Sequence, residues 1–165
     1  MPVPLKVMFL CTGNSARSIL AEYLLRRMAG DRFEVFSAGA RPTGVVNPLA
    51  LKVLGERFGI DAGAARSKSW EEFAGWHFDF VVTVCDKARE SCPIWPGQPV
   101  VAHWGSEDPA EIQGDLATKE RAFVGVALEI QRRLSLFCAL PMEKLERLRL
   151  EKAVREIATA EAQRP

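Results

Sequence analysis

The feature that most constrains this chain is the stretch Phe9-Leu10-Cys11-Thr12-Gly13-Asn14-Ser15-Ala16-Arg17-Ser18. A short apolar run, Leu5 to Leu10, delivers a cysteine into a Gly/Asn/Ser turn. An arginine follows after five intervening residues, and a helical pattern begins at once. Strand, tight turn and helix in that order make an anion cradle, because a helix N-terminus leaves backbone N–H groups unpaired and pointing into the turn. Gly13 and Asn14 tolerate the left-handed backbone angles that curl such a loop. The candidate oxyanion loop is therefore Thr12, Gly13, Asn14, Ser15, Ala16, Arg17 and Ser18, with Arg17 supplying a planar donor fork. The same surroundings are expected to acidify Cys11, since a thiol facing a helix N-terminus and a guanidinium has its pKa brought to about 3.5–7.5. Ser18 adds a hydroxyl donor. A buried structural cysteine is the plainer alternative, but Cys-x5-Arg-Ser set between strand and helix favours a nucleophile in an oxyanion site.

Bulk properties narrow the classes. A chain of 165 residues suits one domain with a real core. A formal net charge of +1 gives no reason to expect nucleic acid or an acidic membrane surface. No apolar run approaches the roughly twenty residues of a membrane span, and Met1-Pro2-Val3-Pro4 lacks a signal peptide's basic region and cleavage site. The expectation is a soluble cytoplasmic protein, in which four cysteines point to redox or catalytic use rather than a disulfide framework.

Periodicity predicts the elements. Leu20, Leu24 and Met28 recur at helical spacing up to Gly30, and Phe33-Glu34-Val35-Phe36 reads as a strand ended by Ser37-Ala38-Gly39. Asn47-Pro48 reads as a cap followed by proline at the first helical position, with Gly59 closing that helix. Trp70 to Ala74 suggests a short helix. Phe78 to Val84 is a nearly continuous apolar strand, as expected at the centre of a parallel sheet, and Pro99 to Trp104 is a shorter one. A helix runs from Thr118 through Phe137, and Pro141 starts a last one with Leu145, Leu148, Val154 and Ile157 as its apolar positions. Alternating strands and helices predict an α/β fold, a three-layer αβα sandwich on a four-stranded parallel sheet. Residues 1–140 read as the domain and 141–165 as a helical extension, a solvated helix on the domain edge. Ligands of such sheets bind beyond the C-terminal strand ends, where Cys11 lies.

Two further clusters fall at that edge. The strand Phe78–Val84 runs into Cys85, and Cys92 follows after six residues. If the intervening stretch is helical, the two Cα atoms stand about 10 Å apart, beyond the roughly 7 Å a disulfide tolerates. Bridging therefore requires unwinding, and residues 85–97 are expected to have two conformations, one per redox state. Incidental thiols remain an alternative. Zinc held by Cys11, Cys85, Cys92 and His103 is disfavoured by the spacing and by the arginine, so no metal is expected. Cys138 reads as a core residue and His103 as a structural one. Asp108, before Pro109, lies on a loop at the same edge, where a carboxylic acid can protonate a leaving oxygen, although Asp-Pro is also an ordinary turn starter.

Taken together, Cys-Thr-Gly-Asn-Ser-x-Arg-Ser at 11–18, Ser37-Ala38-Gly39, Val-Thr-x-Cys with a second cysteine after six residues at 82–92, and His103-Trp104-Gly105 with Asp108-Pro109-Ala110 resemble the thioredoxin-coupled arsenate reductases of the low-molecular-weight protein tyrosine phosphatase superfamily. The resemblance covers roughly residues 5–137. It implies Cys11 as nucleophile, Arg17 as oxyanion clamp, Asp108 as general acid and Cys85 with Cys92 as the shuttle pair. It implies arsenate as substrate (phosphate or sulfate fitting the same loop), thioredoxin as reductant and no cofactor. Some members hold potassium with positions matching Asn14, Glu22 and Ser37 and an acidic residue after Ser67. This chain has Lys68 there, so an ammonium group is expected in the cation's place, paired with Glu22. The rival readings are an aryl phosphatase using Cys11, Arg17 and Asp108, and a non-enzymatic thiol switch built on residues 85–92.

Overall fold

A computed structural model describes residues 3–162 of the chain. In it the apolar run Leu5–Cys11 forms β1, an interior strand of a four-stranded sheet in the order β2-β1-β3-β4. Here β2 is Phe33–Gly39, β3 is Phe80–Thr83 and β4 is Val100–His103, and every pairing is parallel. Val7, Met8, Phe9 and Leu10 are all fully buried. A strand covered on both faces needs apolar side chains at every position, which is why this one shows no alternation.

The helices are α1 (Arg17–Ala29), α2 (Pro48–Phe58), α3 (Asp86–Ser91), α4 (Leu116–Cys138) and α5 (Met142–Ala162), with short 3₁₀ turns at Trp70–Phe73 and Pro109–Glu111. The result is the expected three-layer αβα sandwich, with α5 beyond it. Helix α2 follows its local signals: the Asn47 side chain accepts from Leu49 N–H at 2.9 Å, Pro48 occupies the first turn, and Gly59 ends the helix at φ 65°. Strand β2 runs three residues further than its apolar pattern, to Gly39, because parallel pairing with β1 continues through Cys11 opposite Gly39. Strand β3 is shorter than expected. Phe78 lies outside it, in an aromatic cluster with Phe36, Phe73, Trp76 and Trp95. A second cluster gathers Phe33, Phe80 and Trp104 around Phe137 of α4, with ring centroids 5.2, 5.1 and 5.8 Å away.

Strand order places the site. The chain leaves β1 for β2 on one side and later returns to β3 on the other, so a crevice opens at the C-terminal ends of β1 and β3. Leu10 pairs with Thr83, and Val84 N–H donates to the Leu10 carbonyl at 2.8 Å. Cys85 therefore comes level with the turn that follows Cys11. At the far end of the chain, α5 touches the body through Leu145 and through Arg149, 3.2 Å from Asp79. Leu148, Val154 and Ile157, expected on its apolar face, are exposed together with Leu150.

Gly39 joins fold to site. A Cβ there would sit 2.5 Å from the Thr12 carbonyl oxygen and 3.0 Å from Asn14 N. Both are backbone atoms of the loop after β1, so neither can swing aside. Gly39→Ala is expected to cost about 1–3 kcal/mol in urea unfolding, the usual range for overpacking, and to weaken oxyanion binding in parallel.

Candidate active site

The loop after β1 closes around its own cysteine. Asn14 N–H donates to Cys11 Sγ at 3.1 Å, and Ser18 Oγ lies 2.8 Å from the same sulfur. Asn14 is fully buried with φ 47°, the left-handed conformation its residue type tolerates. Its Nδ2 donates to Ser18 Oγ at 2.8 Å and to Ser37 Oγ at 2.9 Å, and its Oδ1 accepts from Lys68 N–H at 2.9 Å. Since Ser18 Oγ already accepts from Asn14, its own proton is available to the sulfur. Neighbouring segments pin the outside of the loop. Arg41 N–H donates to the Thr12 carbonyl, Ser67 Oγ to that of Gly13, and Asn47 N–H to that of Ser15, all within 2.8–2.9 Å.

A cavity of about 370 Å³ opens over this loop, lined by Cys11, Thr12, Gly13, Arg17, Cys85 and Asp108 among others. Four of the five residues expected to act together thus share one space. Arg17, however, donates through Nη1 to the Ser106 carbonyl at 2.9 Å and stands 3.7 Å from the Asp108 carboxylate. It is tied to the loop after β4 rather than to the sulfur. This overturns the expected acidification of Cys11. Burial pushes the Cys11 thiol up from its ordinary value, and the hydrogen bonds from Ser18 and Asn14 oppose that without reversing it. Asp108 also serves as the cap of the 3₁₀ turn, accepting from Ala110 N–H at 3.0 Å, so the turn-starter reading and a place in the cavity both hold.

Cys85 and Cys92 flank α3 as the spacing required. Cys85 caps the helix, its sulfur accepting from Ala88 N–H at 3.4 Å, and the same sulfur is 3.2 Å from Thr12 Oγ1. Cys92 follows the helix, away from the cavity, with its thiol donating to the Pro93 carbonyl at 3.6 Å. Burial raises the Cys92 pKa, and the Trp95 side chain opposes it. All four cysteines are free thiols, and among the described residues no His/Cys/Asp/Glu group is arranged to hold a metal ion. Cys138 is half-buried on α4 rather than fully in the core. Sequence reasoning missed the support behind Arg17. Ser106 Oγ donates to Glu129 at 3.0 Å, and Arg133 donates to the Gly105 carbonyl at 3.0 Å. On α4 those two charges look like an ordinary solvated face, and nothing in the pattern marks them.

Lys68 lies where the departure from the resembling sequences placed it. Its Nζ is 3.0 Å from the Arg66 carbonyl, 3.3 Å from Ser37 Oγ, 3.4 Å from Asn14 Oδ1 and 3.7 Å from Glu22. Burial lowers its pKa and the Glu22 charge opposes that. The ammonium group fills the space between these oxygens. Potassium and sodium chloride at equal concentration are therefore expected to give the same Tm and the same activity. A potassium-specific rise in either would contradict this. The Cys11 environment gives a second expectation. With its pKa raised, iodoacetamide labelling of Cys11 keeps climbing with pH past the ordinary thiol value of 9.0. Ser18→Ala, which removes a donor to the sulfur, moves the inflection higher still and slows labelling near neutral pH by about tenfold, as expected for a hydrogen bond to a charged acceptor.

The chain has similar counterparts among known proteins. The profile of the low molecular weight phosphotyrosine protein phosphatase family matches residues 6–137. The arsenate reductase of Halalkalibacterium halodurans is 39% identical over 131 residues, covering 79% of this chain and 93% of that protein. Among solved structures, an arsenate reductase in its phosphate-binding state superposes with a TM-score of 0.70 at 28% identity, over 82% of this chain and 97% of that one. A thioredoxin-dependent arsenate reductase from Corynebacterium glutamicum gives a TM-score of 0.58 at 29% identity, over 82% of this chain and 65% of that one. No helix among the described residues is long and apolar enough to cross a membrane. The chain belongs to the low molecular weight phosphotyrosine protein phosphatase family, among its arsenate reductase relatives.

Proposed function

We propose that this protein reduces arsenate to arsenite with three thiols, Cys11, Cys85 and Cys92, and is returned to its dithiol state by thioredoxin. The observation that carries the reading is the second thiol at the cradle: Cys85 Sγ lies 3.2 Å from Thr12 Oγ1, on the cavity that holds Cys11. A hydrolytic phosphatase has no use for it. Relatives named as arsenate reductases support the substrate, and the thioredoxin-dependent neighbour supports the reductant.

In the proposed cycle, the loop amides and Arg17 bind the oxyanion, with Arg17 leaving the Ser106 carbonyl to do so. The Cys11 thiol gives up its proton to an oxygen of the bound oxyanion, and the thiolate attacks arsenic. Asp108 protonates the departing oxygen, which leaves as water. Cys85 then attacks the Cys11 sulfur. The sulfur–arsenic electron pair stays with arsenic, which goes from arsenic(V) to arsenic(III) as two thiols become one disulfide. Cys92 attacks Cys85, the Cys11 thiolate departs, and the disulfide now joins Cys85 to Cys92. A dithiol partner reduces it by exchange.

This requires residues 85–97 to adopt a second conformation. We assign the catalytic unit to residues 1–140, and a reducing cytoplasm suits the chemistry. The cradle also suits slow aryl phosphate hydrolysis as a side reaction, with Ala110-Glu111 after Asp108-Pro109 offering no aromatic grip.

Arsenite release with thioredoxin is the test, for the unsubstituted chain and for Cys11→Ser, Cys85→Ser and Cys92→Ser. All three variants are expected to lose multiple turnover. Full aryl phosphate hydrolysis in the last two, with no arsenite formed by the unsubstituted chain, would make the protein a phosphatase. Disulfide formation without arsenite would make it a switch.

A further inference from the structure

We infer that Asp86, His103 and Thr83 form a latch that helps Cys85 keep α3 wound and stays in place once Cys85 has left its capping position, so that release of the Asp86–His103 bond paces the approach of Cys92. The pacing rests on the three-thiol cycle proposed above, whereas the latch itself is a property of the resting fold.

Helix α3 has six residues, Asp86–Ser91, far fewer than a helix needs to stand alone. Its unpaired first amides need partners, and one is the Cys85 sulfur, 3.4 Å from Ala88 N. That sulfur is also the atom the cycle sends to Cys11. Bonding to Cys11 draws it away from the helix axis, so the chemistry removes the cap at its first disulfide.

A second tether lies one residue on. Asp86 Oδ1 is 2.9 Å from His103 Nε2, which joins the first residue of α3 to the last residue of β4. A carboxylate only accepts, so Nε2 carries the proton. On the other side of the ring Thr83 Oγ1 stands 2.8 Å from Nδ1, on a residue of β3 that is 1% exposed. The tether is thus rooted in the sheet interior and ends on a helix that has to move. Gly105 is shaped to it. A Cβ there would sit 3.1 Å from His103 Nε2 and 3.8 Å from Asp86 Oδ1. A side chain there would press the His103 ring a few tenths of an ångström out of place. The Asp86 side chain is 80% exposed, so water competes for it and the bond is releasable.

Asp86 also lies in the first helical turn, where a negative charge is favourable by itself. A double-mutant cycle separates that effect from the tether. Amide hydrogen exchange of residues 86–92 is measured on the reduced protein for Asp86→Ala, His103→Phe and the double variant. Each protein is then given one equivalent of arsenate without thioredoxin, quenched with alkylating agent at intervals, and its disulfides are mapped by peptide mass spectrometry.

Each single variant is expected to exchange about 3- to 10-fold faster, the scale of one modest hydrogen bond, and the double variant no faster than Asp86→Ala. The Cys11–Cys85 species is expected to convert to Cys85–Cys92 faster by a similar factor, with one arsenite still released per chain. Unchanged exchange in the singles, or factors that multiply in the double variant, overturn the latch. Faster exchange with an unchanged conversion rate overturns its pacing role. If the unsubstituted chain releases no arsenite, the reductase reading falls, and the exchange cycle still decides the latch.

Discussion

One buried amide side chain, that of Asn14, holds the backbone of this site in place. Its two N–H groups go to Ser18 and Ser37, and its oxygen receives the backbone and side-chain nitrogens of Lys68. Its own backbone N–H goes to the Cys11 sulfur. Three segments distant in sequence, the loop after β1, the end of β2 and the stretch at 67–69, are tied through one residue whose side-chain amide is fully paired. A fully satisfied buried network of this kind is rigid, because any departure strands a donor or acceptor out of reach of water. The loop backbone is therefore held in one shape, so the oxyanion binding proposed for it would not require the loop itself to rebuild. The left-handed φ of Asn14 and the bare Cα of Gly39 are the local conditions for this packing.

What the sequence made legible follows the range of the forces involved. Helix α2 could be bounded almost to the residue, because Asn47, Pro48 and Gly59 act through contacts a few residues long. The cradle was legible for the same reason: strand, turn and helix are contiguous. The full length of β2 was not, since its last residues are strand only because β1 pairs with them. Lys68 was found through its departure from similar sequences, and no periodicity would have shown it. Arg17 illustrates the limit. Its presence beside an oxyanion loop was plain from spacing, but its direction depends on the Ser106 carbonyl, itself placed by a serine and two charges that meet only in three dimensions. The expected acidic Cys11 failed with it, because an arginine lowers a thiol's pKa by facing it and not by being near in sequence.

The raised pKa values of Cys11 and Cys92 bear on how such a protein rests. A protonated thiol is a poor nucleophile and a poor target for oxidants. With Arg17 held by the Ser106 carbonyl, buried Cys11 rests as a thiol. In the proposed cycle the same guanidinium turns onto the bound oxyanion and offsets part of the negative charge that the substrate brings beside Cys11.

In the proposed cycle, burial also explains why three sulfurs are used where two would balance the electrons. Cys11 is 3% exposed and Cys85 is 6% exposed, while Cys92 is half-buried beyond α3. Excluding water strengthens every interaction the cradle makes with a charged oxyanion. The same exclusion keeps a protein-sized reductant from any disulfide formed there, since thiol exchange needs a line of approach to one of the sulfurs. A cradle tight enough for the first step is therefore too tight for the last. In that cycle, carrying the disulfide outward resolves the conflict, and it requires a segment held by few contacts, which a six-residue helix capped by Cys85 itself would supply. The weakness of α3 is thus a consequence of the tightness of the loop it stands beside.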